Sequence, residues 1–228
     1  MKRIIVKLSG ELLGESKIEF EKALEIAKTL IECKKMGYEI GVVIGGGNIW
    51  RGRSHKEMDA FSSDSIGMLA TTMNAIALKS AINALNEDAI VMSSIDVKLV
   101  SRYNVDEAKE KLKSNIVIFA GGLGTPCLST DTTAATRAVE LNSDLILKGT
   151  NVDGVYDSDP KVNISAKKYD KLTFKEALEK RLKIMDAAAF DICLNNNLKV
   201  CVFNLNDLNN IKRICNGETI GTIVSNYE

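Results

Sequence analysis

Four apolar runs in this chain each lead directly into a glycine-containing turn, and this arrangement strongly restricts the possible folds. The runs and their turns lie at residues 3–10, 41–48, 116–124 and 144–151. In a parallel sheet, such turns gather at the carboxyl ends of the strands, where open α/β sheets bind ligands. Glycine lets backbone N–H groups approach an anion closely, and a following helix adds the positive end of its dipole. With lysines and arginines beside them, the four turns predict phosphate chemistry.

Strand-like and helix-like segments alternate along the chain up to about residue 150, and further segments of both kinds follow. We predict strands at 3–8, 39–44, 89–93, 96–100, 116–119, 144–148, 199–203 and 219–224. We predict helices near 20–36, 65–86, 104–113, 131–142, 173–182, 186–196 and 207–215. This alternation is typical of a mostly parallel sheet with helices on both faces. No Pro/Ser-rich linker divides the chain, so we expect one domain, 1–228, with lobes of about 1–142 and 143–228.

Composition excludes several functional classes. Thirty basic and thirty acidic residues give no net field, which argues against nucleic-acid or anionic-membrane partners. Five scattered cysteines without a C-x-x-C pair indicate reduced thiols, and the single histidine, His55, excludes a multi-histidine metal site and is expected in a solvated loop. No apolar run approaches the ~18 residues that span a membrane. We therefore expect a cytoplasmic protein without a signal peptide or transmembrane helix.

Six sequence blocks closely resemble motifs of the bacterial-type uridylate kinases (UMP kinases), which have the amino-acid kinase fold. They lie at residues 6–11, 42–52, 66–74, 120–126, 129–132 and 151–160, and the similarity runs from residue 3 to about 224. The blocks at 42–52 (VVIGGGNIWRG) and 66–74 (IGMLATTMN) are the most specific to that family, whereas the block at 151–160 is shared by related kinases.

The resemblance implies an α/β protein, a three-layer α/β/α sandwich with a mostly parallel central sheet. It implies transfer of phosphate from ATP to UMP, with Mg²⁺ carried by ATP, UTP as an inhibitor, and a homohexamer built as a trimer of dimers. Small and apolar residues on several faces of the 65–86 helix agree with burial on two sides. Two alternatives remain open: a kinase acting on a carboxylate or carbamate, and a non-catalytic nucleotide-binding or storage protein.

Phosphoryl transfer needs cations at the moving group, because its catalysis is largely positioning and electrostatic stabilisation. The resemblance assigns catalytic roles to Lys7, Asp131 and Arg51, with Lys148 as a candidate second cation. It implies ATP contacts at Lys7, Leu8, Ser9, Gly10, Gly47, Arg51, Thr150, Asn151, Tyr156 and Asp159. Other interpretations of these residues are a solvated Lys7, a core Tyr156 and a simple turn at Asp159.

On the acceptor side, the resemblance implies UMP contacts at Gly46, Asp64, Leu123, Gly124, Thr125, Pro126, Cys127, Leu128, Ser129 and Thr130. Asp64 would bind the ribose hydroxyls, although an aspartate there is also a common helix N-cap. Asp131 is expected to cap the helix that follows it, and Asp186 either caps a helix or helps to organise Mg²⁺ or Lys7. An ionised acceptor phosphate needs no general base, so these aspartates are not assigned that role.

The segment 14–20 departs from the family pattern, because it is short and lacks the Gly-Phe-Gly element that relatives carry there. In the family that element is tied to activation by GTP. We therefore expect little or no stimulation by GTP.

Overall fold

The computed structural model describes residues 2–55, 57–160 and 162–227. Its strands are β1 (Lys2–Leu8), β2 (Tyr38–Ile44), β3 (Ala89–Ser93), β4 (Ser101–Arg102), β5 (Ile116–Ala120), β6 (Leu145–Thr150), β7 (Val155–Tyr156), β8 (Lys168–Tyr169), β9 (Lys171–Thr173), β10 (Lys199–Asn204) and β11 (Thr222–Ser225). The α-helices are α1 (Phe20–Lys35), α2 (Ala60–Ala84), α3 (Val105–Leu112), α4 (Thr130–Glu140), α5 (Phe174–Glu179), α6 (Ala187–Asn195) and α7 (Asn209–Cys215). Short 3₁₀ helices occupy Gly10–Leu13 and Gly52–Ser54.

Nine strands form the central sheet, in the order β4-β3-β5-β2-β1-β6-β10-β11-β9. Among the described residues, β10 and β11 are its one antiparallel pair. Strand β1 lies in the middle, and Lys7 is in register with Lys148 of β6. The predicted mostly parallel sheet is therefore confirmed, with β1 and β6 side by side at its centre.

The core lies in two apolar layers, one on each face of the sheet. Side chains of α1, α2 and α7 fill one layer, and those of α3 to α6 fill the other. Alternation along β1 sends Ile4, Val6 and Leu8 to the first layer and Ile5 to the second. By the same alternation Lys7 lies on the face covered by α4, which brings it to Asp131. The three-layer α/β/α architecture is confirmed.

Four predicted elements need correction, and one is the last strand, predicted at 219–224, which begins only at Thr222 as β11. Helix α2 begins at Ala60, not near 65, because the Asp59 side chain caps it by accepting the Ser62 N–H at 2.9 Å. The strand predicted at 96–100 is wrong: the Ser93 hydroxyl bonds the Ile95 carbonyl at 2.8 Å, the chain turns, and pairing resumes at Ser101. Helix α5 ends at Glu179, and Arg181 adopts a left-handed φ of 54°.

Strands β7, β8 and β9 are two or three residues long, too short to produce a periodic pattern in the sequence. Within the described residues, no helix has both the length and the apolar character needed to span a bilayer. The proposed division into two lobes stays a prediction.

Candidate active site

Two lysines share one carboxylate at the carboxyl ends of the central strands. Lys7 Nζ lies 2.8 Å from Asp131 Oδ1, and Lys148 donates a hydrogen bond to Asp131 Oδ2. The register of β1 with β6 sets the two lysines side by side, and the first turn of α4 brings Asp131 between them. With both lysines protonated, this lysine cluster (Lys7, Lys148 and Asp131) carries one net positive charge. It can therefore attract an anion.

Burial and charge act in opposite directions within the lysine cluster. Burial raises the pKa of Asp131, but the positive charges of Lys7 and Lys148 outweigh it, so this pKa lies below its ordinary value. Burial lowers the pKa of Lys148, and the attraction of Asp131 offsets this only in part. Asp131 is therefore a carboxylate at neutral pH. The charged form of Lys148 is less stable in the folded protein than in water, because burial removes its hydration.

The expectation that Asp131 caps α4 is wrong. The cap is Ser129, whose hydroxyl accepts the N–H groups of Asp131 at 3.0 Å and Thr132 at 3.1 Å. Because Ser129 accepts these first N–H groups of the helix, the Asp131 carboxylate is available to the lysines.

Asp186 does cap a helix, as one of its two interpretations predicted. Its carboxylate accepts the Ala189 N–H at the start of α6, at 3.0 Å. The same carboxylate accepts hydroxyl hydrogen bonds from Ser129 and, at 2.9 Å, from Thr132. It therefore ties the first turn of α4 to the first turn of α6.

A cleft of about 290 Å³ is lined by Ser129 and Thr130, which directly precede Asp131 in the chain. Six of the ten residues predicted to contact UMP line it: Gly46, Asp64, Thr125, Leu128, Ser129 and Thr130. Leu123, Gly124, Pro126 and Cys127 belong to the same loop but do not line this cleft.

The Asp64 carboxylate lies in the second turn of α2, because Asp59 is the cap. The alternative interpretation of Asp64 as the N-cap is therefore wrong. One of its oxygens, Oδ2, accepts the Cys127 N–H at 2.7 Å. Asp64 therefore holds residues 121–129, called here the 121–129 loop, against α2. Its carboxylate also faces the cleft.

Residues that sequence reasoning did not single out fix the glycine turns. Asn74 of α2 is fully buried and donates to the Gly45 carbonyl and to Asn48 Oδ1, both at 2.7 Å. Thr71 Oγ1 accepts the Gly121 N–H at 2.9 Å. An amide and a hydroxyl inside the family-specific block 66–74 were the available signal, because buried polar groups require partners.

Two further clefts are lined by residues predicted to contact ATP. One, of about 430 Å³, is lined by Ser9, Arg51 and Asn151 from the predicted ATP contacts. The other, of about 470 Å³, is lined by Thr150, Tyr156 and Asp159. Arg51 also lines the 290 Å³ cleft, so it borders two of the three clefts, and its guanidinium pairs with Glu11.

The remaining predicted ATP contacts have less exposed positions. The Leu8 side chain is buried in the core, and its carbonyl accepts the Gly45 N–H at 3.0 Å. Gly10 is buried, and a Cβ there would lie 2.4 Å from the Gly45 carbonyl, so only glycine allows these turns to meet. Gly47 has room for a Cβ, with Arg51 Nε the nearest atom at 4.0 Å.

The structure decides three simpler interpretations of single residues. Tyr156 is half-buried at a cleft and donates to Asp153 at 2.6 Å, so it is not a core residue. The Asp159 carbonyl accepts the N–H groups of Val162 and Asn163, which confirms the turn. His55 stacks on Trp50 with 3.9 Å between ring centroids, so it is more constrained than the expected solvated loop residue.

Comparison with known proteins identifies the family. The model of the amino acid kinase family matches residues 2–204. A uridylate kinase from Streptococcus thermophilus is 47% identical over 233 residues, covering 99% of this chain and 95% of that protein. The solved UMP kinase from Ureaplasma parvum has a TM-score of 0.93 with 42% identity, covering 98% of each chain. The solved UMP kinase from Bacillus anthracis has a TM-score of 0.95 with 37% identity, covering 100% of this chain and 97% of that chain. This chain therefore belongs to the amino acid kinase family and, within it, to the uridylate kinases.

Proposed function

We propose that this protein transfers the γ-phosphoryl group of ATP to UMP and releases ADP and UDP. The observation that carries the proposal is the lysine cluster, whose three residues are close neighbours in the chain of residues that line three clefts. Asp131 follows Ser129 and Thr130, which line the 290 Å³ cleft, and Lys7 and Lys148 precede Ser9 and Thr150, which line the other two. A nucleotide in the 290 Å³ cleft and one in the other two clefts would bring their phosphates together at these cations.

The reaction is an in-line displacement. A phosphate oxygen of UMP forms a bond to the γ-phosphorus as the bond from that phosphorus to the bridging oxygen of ADP breaks. Lys7 and Lys148 stabilise the charge on the transferring group, and Asp131 holds both ammonium groups in place. The acceptor oxygen is already ionised, so no side chain has to remove a proton.

Asp64 supports a nucleotide acceptor over a carboxylate or carbamate. Its carboxylate faces the 290 Å³ cleft, and a ribose diol can donate hydrogen bonds to it. An anionic amino-acid substrate would instead meet a like charge there. The uracil ring would lie along the 121–129 loop, whose backbone and hydroxyl groups can match its polar edge.

Mg²⁺ would enter with ATP, neutralise part of the phosphate charge and align the donor. Among the described residues, no three acidic, histidine or cysteine side chains are grouped so as to hold a metal ion. Both oxygens of Asp131 already contact lysines. Nucleotide phosphates and water, which usually supply most Mg²⁺ ligands, fit this donor set better than a protein cage.

The adenosine of ATP would occupy the 470 Å³ cleft, against the half-buried Tyr156 ring and beside Thr150 and Asp159. Ser9 and Arg51 would contact its phosphates from the 430 Å³ cleft. The alternative of passive nucleotide storage is not favoured, because a binder without chemistry has no need of two largely buried cations on one carboxylate.

A coupled assay of ADP release tests the function with UMP, CMP, GMP, acetylglutamate and aspartate as acceptors. We expect turnover with UMP and none with the amino-acid acceptors. Turnover of an amino acid without turnover of UMP would overturn the proposal.

A further inference from the structure

A buried arginine lies under the 121–129 loop, away from the lysine cluster. Arg137 of α4 is only 4% exposed. Its two terminal nitrogens donate to Glu140 Oε2 at 2.5 Å and to Ser94 Oγ at 2.7 Å. Its guanidinium carbon lies 3.6 Å from the centroid of the Tyr103 ring, whose hydroxyl donates to the same Glu140 oxygen at 2.6 Å. The guanidinium plane is thus fixed from three sides.

The arginine determines the direction of the hydrogen bonds that follow. A guanidinium has only donors, so Ser94 Oγ must accept from Arg137. The single Ser94 hydroxyl proton is then directed to the Gly122 carbonyl, 2.8 Å away. Because C=O and N–H point in opposite directions across a trans peptide, the N–H of Leu123 points away from Ser94.

The glycines of the 121–129 loop need hydrogen bonds of this kind to hold their conformation. Gly121, Gly122 and Gly124 have φ values of 71°, 57° and 77°, a left-handed conformation that costs glycine little but also leaves it mobile. Gly122 lines the 290 Å³ cleft. Thr71 of α2 accepts the Gly121 N–H, and Ser94, which follows β3, donates to the Gly122 carbonyl.

Packing or stability alone does not account for the arginine. Its Nε is buried and has no hydrogen-bond partner among the described residues. A buried polar atom without a partner costs stability, and an apolar side chain could fill the same space at a lower cost. What an apolar side chain could not supply is the pair of guanidinium N–H donors, one of which bonds Ser94.

We propose that Arg137 and Ser94 are positioning residues for the acceptor nucleotide, because they orient the Gly122–Leu123 peptide where Gly122 forms part of the wall of the 290 Å³ cleft. The proposal rests on the proposed function, which places UMP in this cleft. Neither residue contacts the nucleotide, and both act through the peptide group.

Ser94→Ala tests the relay with little risk to folding, and Ser143→Ala is its matched control. The Ser143 hydroxyl is buried and has no partner among the described residues, so its loss removes no hydrogen bond. For Ser94→Ala we expect the calorimetric dissociation constant and the KM for UMP to rise about three- to tenfold, as loss of one hydrogen bond typically gives. The KM for ATP should stay within about twofold of the wild-type value, and Ser143→Ala should leave both nucleotides unaffected.

Arg137→Met, alone and combined with Ser94→Ala, tests whether the two residues act in series. The double variant should bind UMP no more weakly than Arg137→Met alone. Both substitutions interrupt the same chain of hydrogen bonds, so their effects should not add. A purely structural role predicts instead a fall in Tm with equal loss of UMP and ATP affinity. That result, or a Ser94→Ala protein that matches Ser143→Ala, would overturn the inference.

Wild-type protein separates this inference from the function on which it rests. If the wild type neither binds nor phosphorylates UMP, the proposed function fails and the positioning role fails with it. If the wild type phosphorylates UMP and the Ser94→Ala protein binds UMP normally, only the positioning role fails.

Discussion

At the scale of single residues, Lys148 shows how burial and function oppose each other. Its ammonium group is largely buried, and burial lowers its pKa despite the nearby Asp131 carboxylate. A basic group whose pKa is lower in the folded state binds a proton less tightly there than in the unfolded chain. The charged lysine therefore destabilises the fold at neutral pH, and this cost falls as the pH rises from the lowered pKa towards the ordinary value of 10.5.

Lys148→Met should separate activity from stability. Removing the buried charge should leave Tm unchanged or raise it, while kcat for UMP phosphorylation falls at least about tenfold because one preorganised cation is lost. Differential scanning calorimetry and initial rates measure the two effects. Lys199→Met, at an exposed position at the start of β10, is the control and should change neither. A parallel loss of Tm and kcat would contradict the assignment.

Asp64→Asn tests the ribose contact. The amide keeps an acceptor for the Cys127 N–H but loses the charge that strengthens bonds from ribose hydroxyls. We expect the KM for UMP to rise roughly tenfold or more, and the preference for UMP over dUMP to shrink. Steady-state kinetics with both acceptors measure this.

The control for Asp64→Asn is Asp59→Ala at the N-cap of the same helix. It should cost about 0.5–2 kcal/mol of stability and leave the preference for UMP over dUMP unchanged. If Asp64→Asn keeps the wild-type preference for UMP over dUMP, the carboxylate does not bind the ribose and serves only to hold the 121–129 loop.

At the scale of elements, the sequence patterns predicted most strands and helices because each carries its own signal. The apolar run of β1 and the amphipathic spacing of α1 are local features, and both elements are confirmed within two residues. Tertiary contacts decided the rest. Asp131 looked like a cap from its place in the sequence, but the fold gives that role to Ser129 and turns Asp131 towards Lys7. The bond from Arg137 to Ser94 joins residues 43 positions apart and has no local signature.

The exposed face of α2 predicts self-association. Leu69 and Met73 are each about half exposed, and Phe61 is 66% exposed on the same helix. Because exposed apolar side chains on one element favour burial against another subunit, we expect the homohexamer that the family resemblance implies. Light scattering should show this mass for the wild type and a smaller species for the double variant Leu69→Glu/Met73→Glu.

Leu99→Glu is the control for that pair, since Leu99 is 81% exposed but lies outside α2. It should leave the assembly intact. A wild-type monomer at micromolar concentration would contradict the expected assembly and leave the fold unaffected.

At the scale of the whole molecule, regulation should follow from the two nucleotide sites. Segment 14–20 lacks the glycine-containing element associated with GTP activation, so GTP should change the initial rate less than about twofold. UTP should compete with UMP, because its uridine could occupy the 290 Å³ cleft while its phosphates extend towards Lys7. Initial rates at subsaturating UMP, with each nucleotide added in turn, measure both effects. A several-fold rise with GTP, or UTP inhibition that UMP cannot overcome, would indicate a separate effector site.

The central claim is that Lys7, held by Asp131, stabilises the phosphoryl group as it moves from ATP to UMP. The most direct measurement is the single-turnover rate of UDP formation by Lys7→Ala, with UMP affinity determined by calorimetry on the same protein. We expect UMP binding close to that of the wild type and a rate lower by roughly 10²-fold or more. A Lys7→Ala protein that forms UDP at the wild-type rate would contradict the account.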